Sequence, residues 1–222
     1  PTQHTLQSPT LRYEAQLWNN CGPATLTSAM SYFGYADNQT RAATWLKPNT
    51  EDKNVSPWQM VEYVNSQVPE MDIYALKRYG GNLETLKLLI ANNFPVIIEA
   101  GYDPEPDRLG WMGHYLFVKG YDDATQQFLT NDSYDGENLK YTYDHIQTFW
   151  QHFNYVYIVL YESGREPELL NLLGTDADAT QNLMNALQKS AQEAAADRAN
   201  AFAWFNLGSN LVMLNEFERA AV

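Results

Sequence analysis

The chain has 222 residues, 45% hydrophobic and 18% charged, which excludes a disordered polymer and provides for one substantial core, or for a domain of about 150 residues with an appendage. Fourteen Lys and Arg stand against 27 Asp and Glu, a formal net charge of −13; a surface of that sign repels nucleic acid and anionic membrane, so neither is expected as a partner. The single cysteine allows no internal disulfide and no structural zinc site, no cofactor is expected, and no stretch reaches the ~18 apolar residues of a membrane span.

The chain begins at Pro1 and stops at Val222 inside a helical pattern, which is the expectation for a processed or trimmed piece of a longer protein. Few lysines beside abundant Tyr, Trp, Asn and Gln point to an exported or cell-surface protein. Residues 1–15 read as irregular or extended, with Leu11–Tyr13 as a short strand entering the loop at Gln16. The stretch QLWNNCGPATLTSAMSYFG (16–34) then predicts a helix, with Gly22 as N-cap, Pro23 at the first helical position and Gly34 as the stop.

Thr40–Leu46 predicts a short helix ended by Pro48. Ser56, Pro57 and Gln59 form a capping box that opens a helix over 57–66, with Trp58, Met60, Val61 and Val64 as its core face. MDIYAL (71–76) alternates like a strand, and Asn82 caps a helix over 83–93. Four strands rich in β-branched and aromatic residues follow: 95–101, 114–121, 127–132 and 155–161, with a short helix capped by Asp144 before the last. Helices first and a sheet afterwards is an α+β order.

The only cysteine, Cys21, falls at the start of the first helix, where the dipole stabilises a thiolate and favours its use as a nucleophile. The alternative is a small buried hydrophobe. His114 begins the strand that turns at 122–125 and returns to Asp132, so a turn near 123 or 124 sets His114 opposite residues 132–134. With even separations sharing a face, Asp132 faces His114, while Asn131 and Asp135 do not. A carboxylate there fixes the imidazole tautomer and raises its basicity, the third role in a nucleophile, base and orienter set. His4, His145 and His152 lack such a partner and read as surface residues. Gln16, five residues before Cys21, can donate its amide to an oxyanion beside the Cys21 backbone N–H. The loop YDPEPDRLGWMG (102–113) is acidic, carries Trp111 and Met112 just before the histidine, and is a candidate cleft wall.

Gln16, NNCGPATLTSAM, GHYLFVKGYDD and the ND at 131–132 together resemble the papain-like cysteine peptidases of the bacteriocin-leader-processing type, in their stand-alone bacterial branch, over about residues 8–162. That resemblance implies a papain-like fold with Cys21 as nucleophile, His114 as base and then acid, Asp132 orienting it, and Gln16 in the oxyanion hole. Asn20 stands where many leader-processing members carry Asp, and the spacing of five from Gln16 to Cys21 is one residue shorter than theirs. The expected domains are a peptidase over 1–162 and, after the linker SGREPE, a helical segment over 163–222. In that segment Trp204, Leu207, Gly208, Leu211, Phe217 and Ala220 fit half of a tetratricopeptide repeat, with a degenerate copy about 34 residues earlier.

The expected activity is peptide-bond hydrolysis through a thioester on a peptide or protein substrate, with the C-terminal helices recruiting a protein partner, a substrate or another copy. Two other readings use the same residues: a thioester-forming acyltransferase or transglutaminase-like enzyme, and a catalytically silent peptide-binding module on a repeat scaffold.

Overall fold

A computed structural model of the chain describes residues 1–49, 54–103 and 110–221. Strand β1 (Gln3–Thr5) is followed by helix α1 (Cys21–Met30), which tightens into a 3-10 turn over Ser31–Phe33 and stops at Gly34 in the left-handed conformation, φ 92°. The helix starts two residues earlier than the Gly22 cap predicts. Asn20 occupies the cap position and Cys21 is the first helical residue. Asn20 does not cap through its side chain, because its Oδ1 accepts from Lys47 Nζ at 2.8 Å. Pro23 is accommodated in the first turn, where its missing N–H has no intrahelical partner to lose. No strand forms at Leu11–Tyr13. That segment bonds to α1 instead: Arg12 N–H donates to Ser31 Oγ and Arg12 O accepts from Ser28 Oγ.

Helices α2 (Gln39–Leu46) and α3 (Pro57–Gln67), strand β2 (Ile73–Arg78) and helix α4 (Leu83–Ala91) follow as the pattern predicts. Ser56 N–H donates to Gln59 Oε1 at 2.8 Å in the expected capping box, and Asn82 Oδ1 accepts from the Thr85 N–H at 2.8 Å. The core face of α3 is Met60, Tyr63 and Val64; Trp58 points outward and is 54% exposed.

Strands β3 (Val96–Tyr102), β4 (Met112–Asp122), β5 (Gln127–Asp132) and β6 (Gly136–Thr142), helix α5 (Tyr143–Gln151) and strand β7 (Tyr157–Glu162) complete the sheet. Its order is β2-β7-β3-β4-β5-β6, antiparallel throughout, with β1 added beside the end of β4. Val96, Ile97, Ile98, Ile158 and Val159 are all buried, so the central strands are covered on both faces and show runs of apolar residues. Strand β6 escapes sequence reading because it is an edge strand, GENLKYT, with one side in water. Thr142, not Asp144, caps α5 by accepting from the His145 N–H.

Residues expected to be a linker form a 3-10 turn, Ser163–Arg165, and enter helix α6 (Glu166–Leu173). Leu169 and Leu173 join the main core, and Arg165 lies over the Phe94 ring at 4.0 Å. Helices α7 (Ala179–Ala196), α8 (Ala201–Met213) and α9 (Phe217–Ala220) end the described chain. The helical content agrees with expectation, and the tetratricopeptide identity rests on the sequence pattern alone.

The β4–β5 hairpin carries one irregularity with consequences for the site. Asp122 pairs with Gln127, Tyr121 with Phe128 and Gly120 with Leu129, but Val118 then pairs with Thr130 and Leu116 with Asp132, so Lys119 is a bulge without an opposite residue. In an unbroken register Leu116 would face Ser133, and Asp132 would lie on the face opposite His114. The extra residue restores even pairing. Its carbonyl accepts from the Leu6 N–H at 2.8 Å, in line with β1. Deleting Lys119 is expected to leave a cooperatively unfolding protein that lacks the low-field imidazole N–H proton resonance of a buried histidine–carboxylate bond. Retention of that resonance in the deletion variant would refute the role given to the bulge.

Candidate active site

Asp132 is 0% exposed at the end of β5. Its Oδ1 accepts from His114 Nε2 at 2.7 Å and from the backbone N–H groups of Tyr134 and Asp135 at 2.9 and 3.1 Å; its Oδ2 accepts from Tyr141 OH at 2.9 Å. Burial by itself would raise the Asp132 pKa, but the His114 bond and the backbone donors outweigh it and hold the carboxyl below its usual range. Burial by itself would lower the His114 pKa; the Asp132 carboxylate and then the Cys21 sulfur push it up to about 10.

The tautomer follows from this bonding. An ionised carboxylate only accepts, so His114 Nε2 carries hydrogen and Nδ1 is the nitrogen left for the Cys21 sulfur. Cys21 is partly exposed at the first turn of an otherwise buried helix, so its sulfur is both packed and reachable. The structure therefore bonds His114 to Asp132 and places the Cys21 sulfur near enough to the imidazole to act on its charge.

Gln16 joins the same cluster through Ser133. Its N–H donates to Ser133 O at 2.8 Å, and its Oε1 accepts from Ser133 Oγ at 2.9 Å, which leaves its amide nitrogen to donate elsewhere. The loop carrying Gln16 is fixed by buried Gln39 at the start of α2. Gln39 Oε1 accepts from Leu17 N–H at 2.7 Å, and Gln39 Nε2 donates to Ala15 O at 2.8 Å and to Glu14 Oε1 at 3.0 Å. Thr27 of α1 donates to the other Glu14 oxygen at 2.7 Å.

Ser133, Tyr141 and Gln39 are absent from the sequence reading. Tyr141 was hidden with its strand, and Gln39 reads as one polar residue among many before α2. Asp135 does not reach His114, as parity predicts; both its carboxylate oxygens accept from Tyr102 OH at 2.9 Å, and the Tyr102 ring lies 4.9 Å from that of His114.

The other histidines are more engaged than expected. His4 bonds to Asn93 Oδ1, His145 stacks on Tyr141, and His152 is half-buried among aromatic rings, accepting the Trp111 Nε1–H at 3.1 Å. A concavity beside Asp132 is lined by Tyr102, Leu116, Tyr141, His145, Ile146 and Phe149. Of the loop expected to wall the cleft, residues 104–109 lie outside the described residues. Among the described residues no group of His, Cys, Asp and Glu is arranged to hold a metal ion, and no helix is long and apolar enough to cross a membrane.

Residues 7–161 match the profile of the Peptidase_C39 like family. No curated protein matches the chain. Among solved structures, xylellain, a cysteine protease from Xylella fastidiosa, is 13% identical with a TM-score of 0.54, covering 72% of this chain and 85% of its own. A putative C39-like peptidase from Bacillus anthracis is 14% identical with a TM-score of 0.52, covering 71% and 97%. A double glycine motif protease from an AMS/PCAT transporter, in complex with its leader peptide, is 15% identical with a TM-score of 0.43, covering 71% and 95%. The first two support a papain-like α+β fold.

The His114–Asp132 pair sets a pH dependence of stability. The raised histidine pKa contributes stability that is full below about 6.5, the unfolded value, and is lost as pH rises toward about 10. The lowered aspartate pKa contributes stability present above about 3.9 and lost as pH falls through its depressed value. Asp132→Ala is accordingly expected to cost about 3–5 kcal/mol in urea unfolding at pH 5.5, with a smaller difference from the parent at pH 9.5. A difference that grows toward pH 9.5 would contradict the pairing.

Proposed function

The chain belongs to the Peptidase_C39 like family and is by that membership a cysteine peptidase, and we propose that Cys21, His114, Asp132 and Gln16 carry its reaction on a peptide substrate. The observation that supports this most is the single imidazole bonded to Asp132 through Nε2 at 2.7 Å, with the Cys21 sulfur near enough to raise its basicity. The thiol proton of Cys21 resides on His114 Nδ1 when the sulfur attacks the peptide carbonyl carbon as a thiolate. The Cys21 backbone N–H, unused within the first helical turn, and the Gln16 amide donate to the oxyanion that forms. The tetrahedral intermediate collapses to a thioester as the imidazolium gives its proton to the leaving amine. Water, deprotonated by the same imidazole, then releases the acid and the thiol. Asp132 stays ionised, holding the tautomer and facing the imidazolium charge.

We assign this chemistry to residues 1–162 and a role in recruiting a partner or substrate to the helices of 163–222, which carry exposed Trp204, Phe205 and Phe217. The end of the family match at residue 161 supports that division.

Cleavage of fluorescein-labelled casein tests the assignment. Cys21→Ala is expected to abolish hydrolysis, and Gln16→Ala to lower kcat by about 10²–10³, the range for removal of one oxyanion donor. A Cys21→Ala protein with parental activity would overturn the peptidase assignment of this residue set. A Gln16→Ala protein with parental kcat would remove Gln16 alone.

A further inference from the structure

The C-terminal helices pack tightly on the peptidase through polar side chains. Asn206 Nδ2 donates to Gln151 O at 2.7 Å, Asn154 and Asn210 exchange bonds at 2.6 and 3.2 Å, and Glu193 accepts from Tyr155 OH at 2.7 Å and Gln151 Nε2 at 2.8 Å. Asn206 and Asn210 are buried. Buried amides bonded in this way fix the register of α8 against residues 151–155, because a shift by one residue would strand them.

Phe202, at the start of α8, is aimed by this contact at the segment beside the histidine. Its ring stacks on His152 at 3.6 Å and 17°, and lies 5.9 Å from Trp111. His152 accepts the Trp111 Nε1–H, and Trp111 stacks on Phe153 at 5.7 Å and 4°. Burial lowers the His152 pKa and so favours the neutral ring, and the Trp111 donor selects the tautomer whose Nδ1 carries no proton. The cluster closes over Gly101, where a Cβ would stand 1.9 Å from His152 Nδ1 and 2.8 Å from Trp111 Nε1, so no larger residue fits there. Gly101 pairs with Gly113, and the adjoining pair is Ala100 with His114.

Trp111 thus stands three residues before His114, gripped on its inner side and yet 50% exposed. A rigid aromatic face that is held in place and open to solvent just before the strand that carries the proposed base is suited to an aliphatic or aromatic side chain of an extended peptide. We propose that Trp111 is a substrate-contacting wall of the cleft and that Phe202, acting through His152, is its positioning residue, so that the C-terminal helices belong to the peptide-binding apparatus.

The proposal rests on the reading of Cys21 as nucleophile for its kinetic test. A peptidyl chloromethyl ketone, Phe-Ala in sequence, and iodoacetamide both alkylate a cysteine, the sulfur forming a C–S bond as halide leaves, but only the first carries side chains that could meet Trp111. The parent is expected to react saturably with the peptidyl reagent. Phe202→Leu, which keeps apolar volume, is expected to slow that reaction about tenfold through weaker saturation, to leave the iodoacetamide rate unchanged, and to be rescued by Phe202→Tyr. Added to Trp111→Ala it should cause no further loss, since Phe202 acts through Trp111. A Phe202→Leu protein with parental peptidyl kinetics, or one slowed equally toward both reagents, would overturn the proposal, as would a parent that shows no preference for the peptidyl reagent. If the parent reacts with neither, the nucleophile assignment falls instead, and acrylamide quenching of tryptophan fluorescence decides the positioning: Phe202→Leu must raise it, with the rise absent in a Trp111→Phe background, and unchanged quenching overturns it.

Discussion

The hydrogen bond from His114 Nε2 to the buried Asp132 carboxylate is the interaction on which the arrangement of this site depends. A carboxylate with no exposure is costly unless its oxygens are bonded, and Asp132 meets that need with two backbone N–H groups, a phenol and the imidazole. The backbone donors come from the tight turn after β5, and the phenol comes from β6. A polar edge strand with little core of its own therefore serves to hold Tyr141 against Asp132. Once the carboxylate is saturated from behind, it can lower the energy of an imidazolium in front of it without being protonated itself.

The two halves of the site come from elements that fold for different reasons. Helix α1 is buried along its whole length after Cys21, and its start is set by the Glu14, Gln39 and Lys47 side chains that bond the preceding loop. The sheet sets the imidazole by register. Ser133 is the joint between them, since it follows Asp132 in the chain and bonds the Gln16 backbone and side chain across the cleft. A displacement of the loop would be felt at the carboxylate, and the reverse.

Much of the element order was legible from local patterns. Asn82, the Ser56–Gln59 box and Gly34 act where they are expected because caps and stops depend on a few neighbouring atoms. The errors fall where tertiary contacts compete: Asn20 gives its side-chain oxygen to Lys47 and not to α1, the Leu11–Tyr13 segment bonds helix side chains and not a strand, and Trp58 faces water although it is spaced for the core. The SGREPE stretch, polar enough to read as a linker, is ordered because Arg165 binds the carbonyls of Asn92 and Asn93.

The residue types and their spacing determined by themselves a lone cysteine at a helix start, a histidine on a hairpin with an aspartate at its far end, and a glutamine before the cysteine. Whether the aspartate shares a face with the histidine was beyond them. The turn as formed begins an odd register that would have sent Asp132 away, and parity counted from an assumed turn reaches the observed pairing only because Lys119 adds one residue to β4. That bulge lies beside the short strand β1 from the far end of the sequence, whose next residue, Leu6, bonds the Lys119 carbonyl. A bulge of this kind is decided by what packs beside the strand, not by its own composition, so only the tertiary structure could put the carboxylate behind the imidazole.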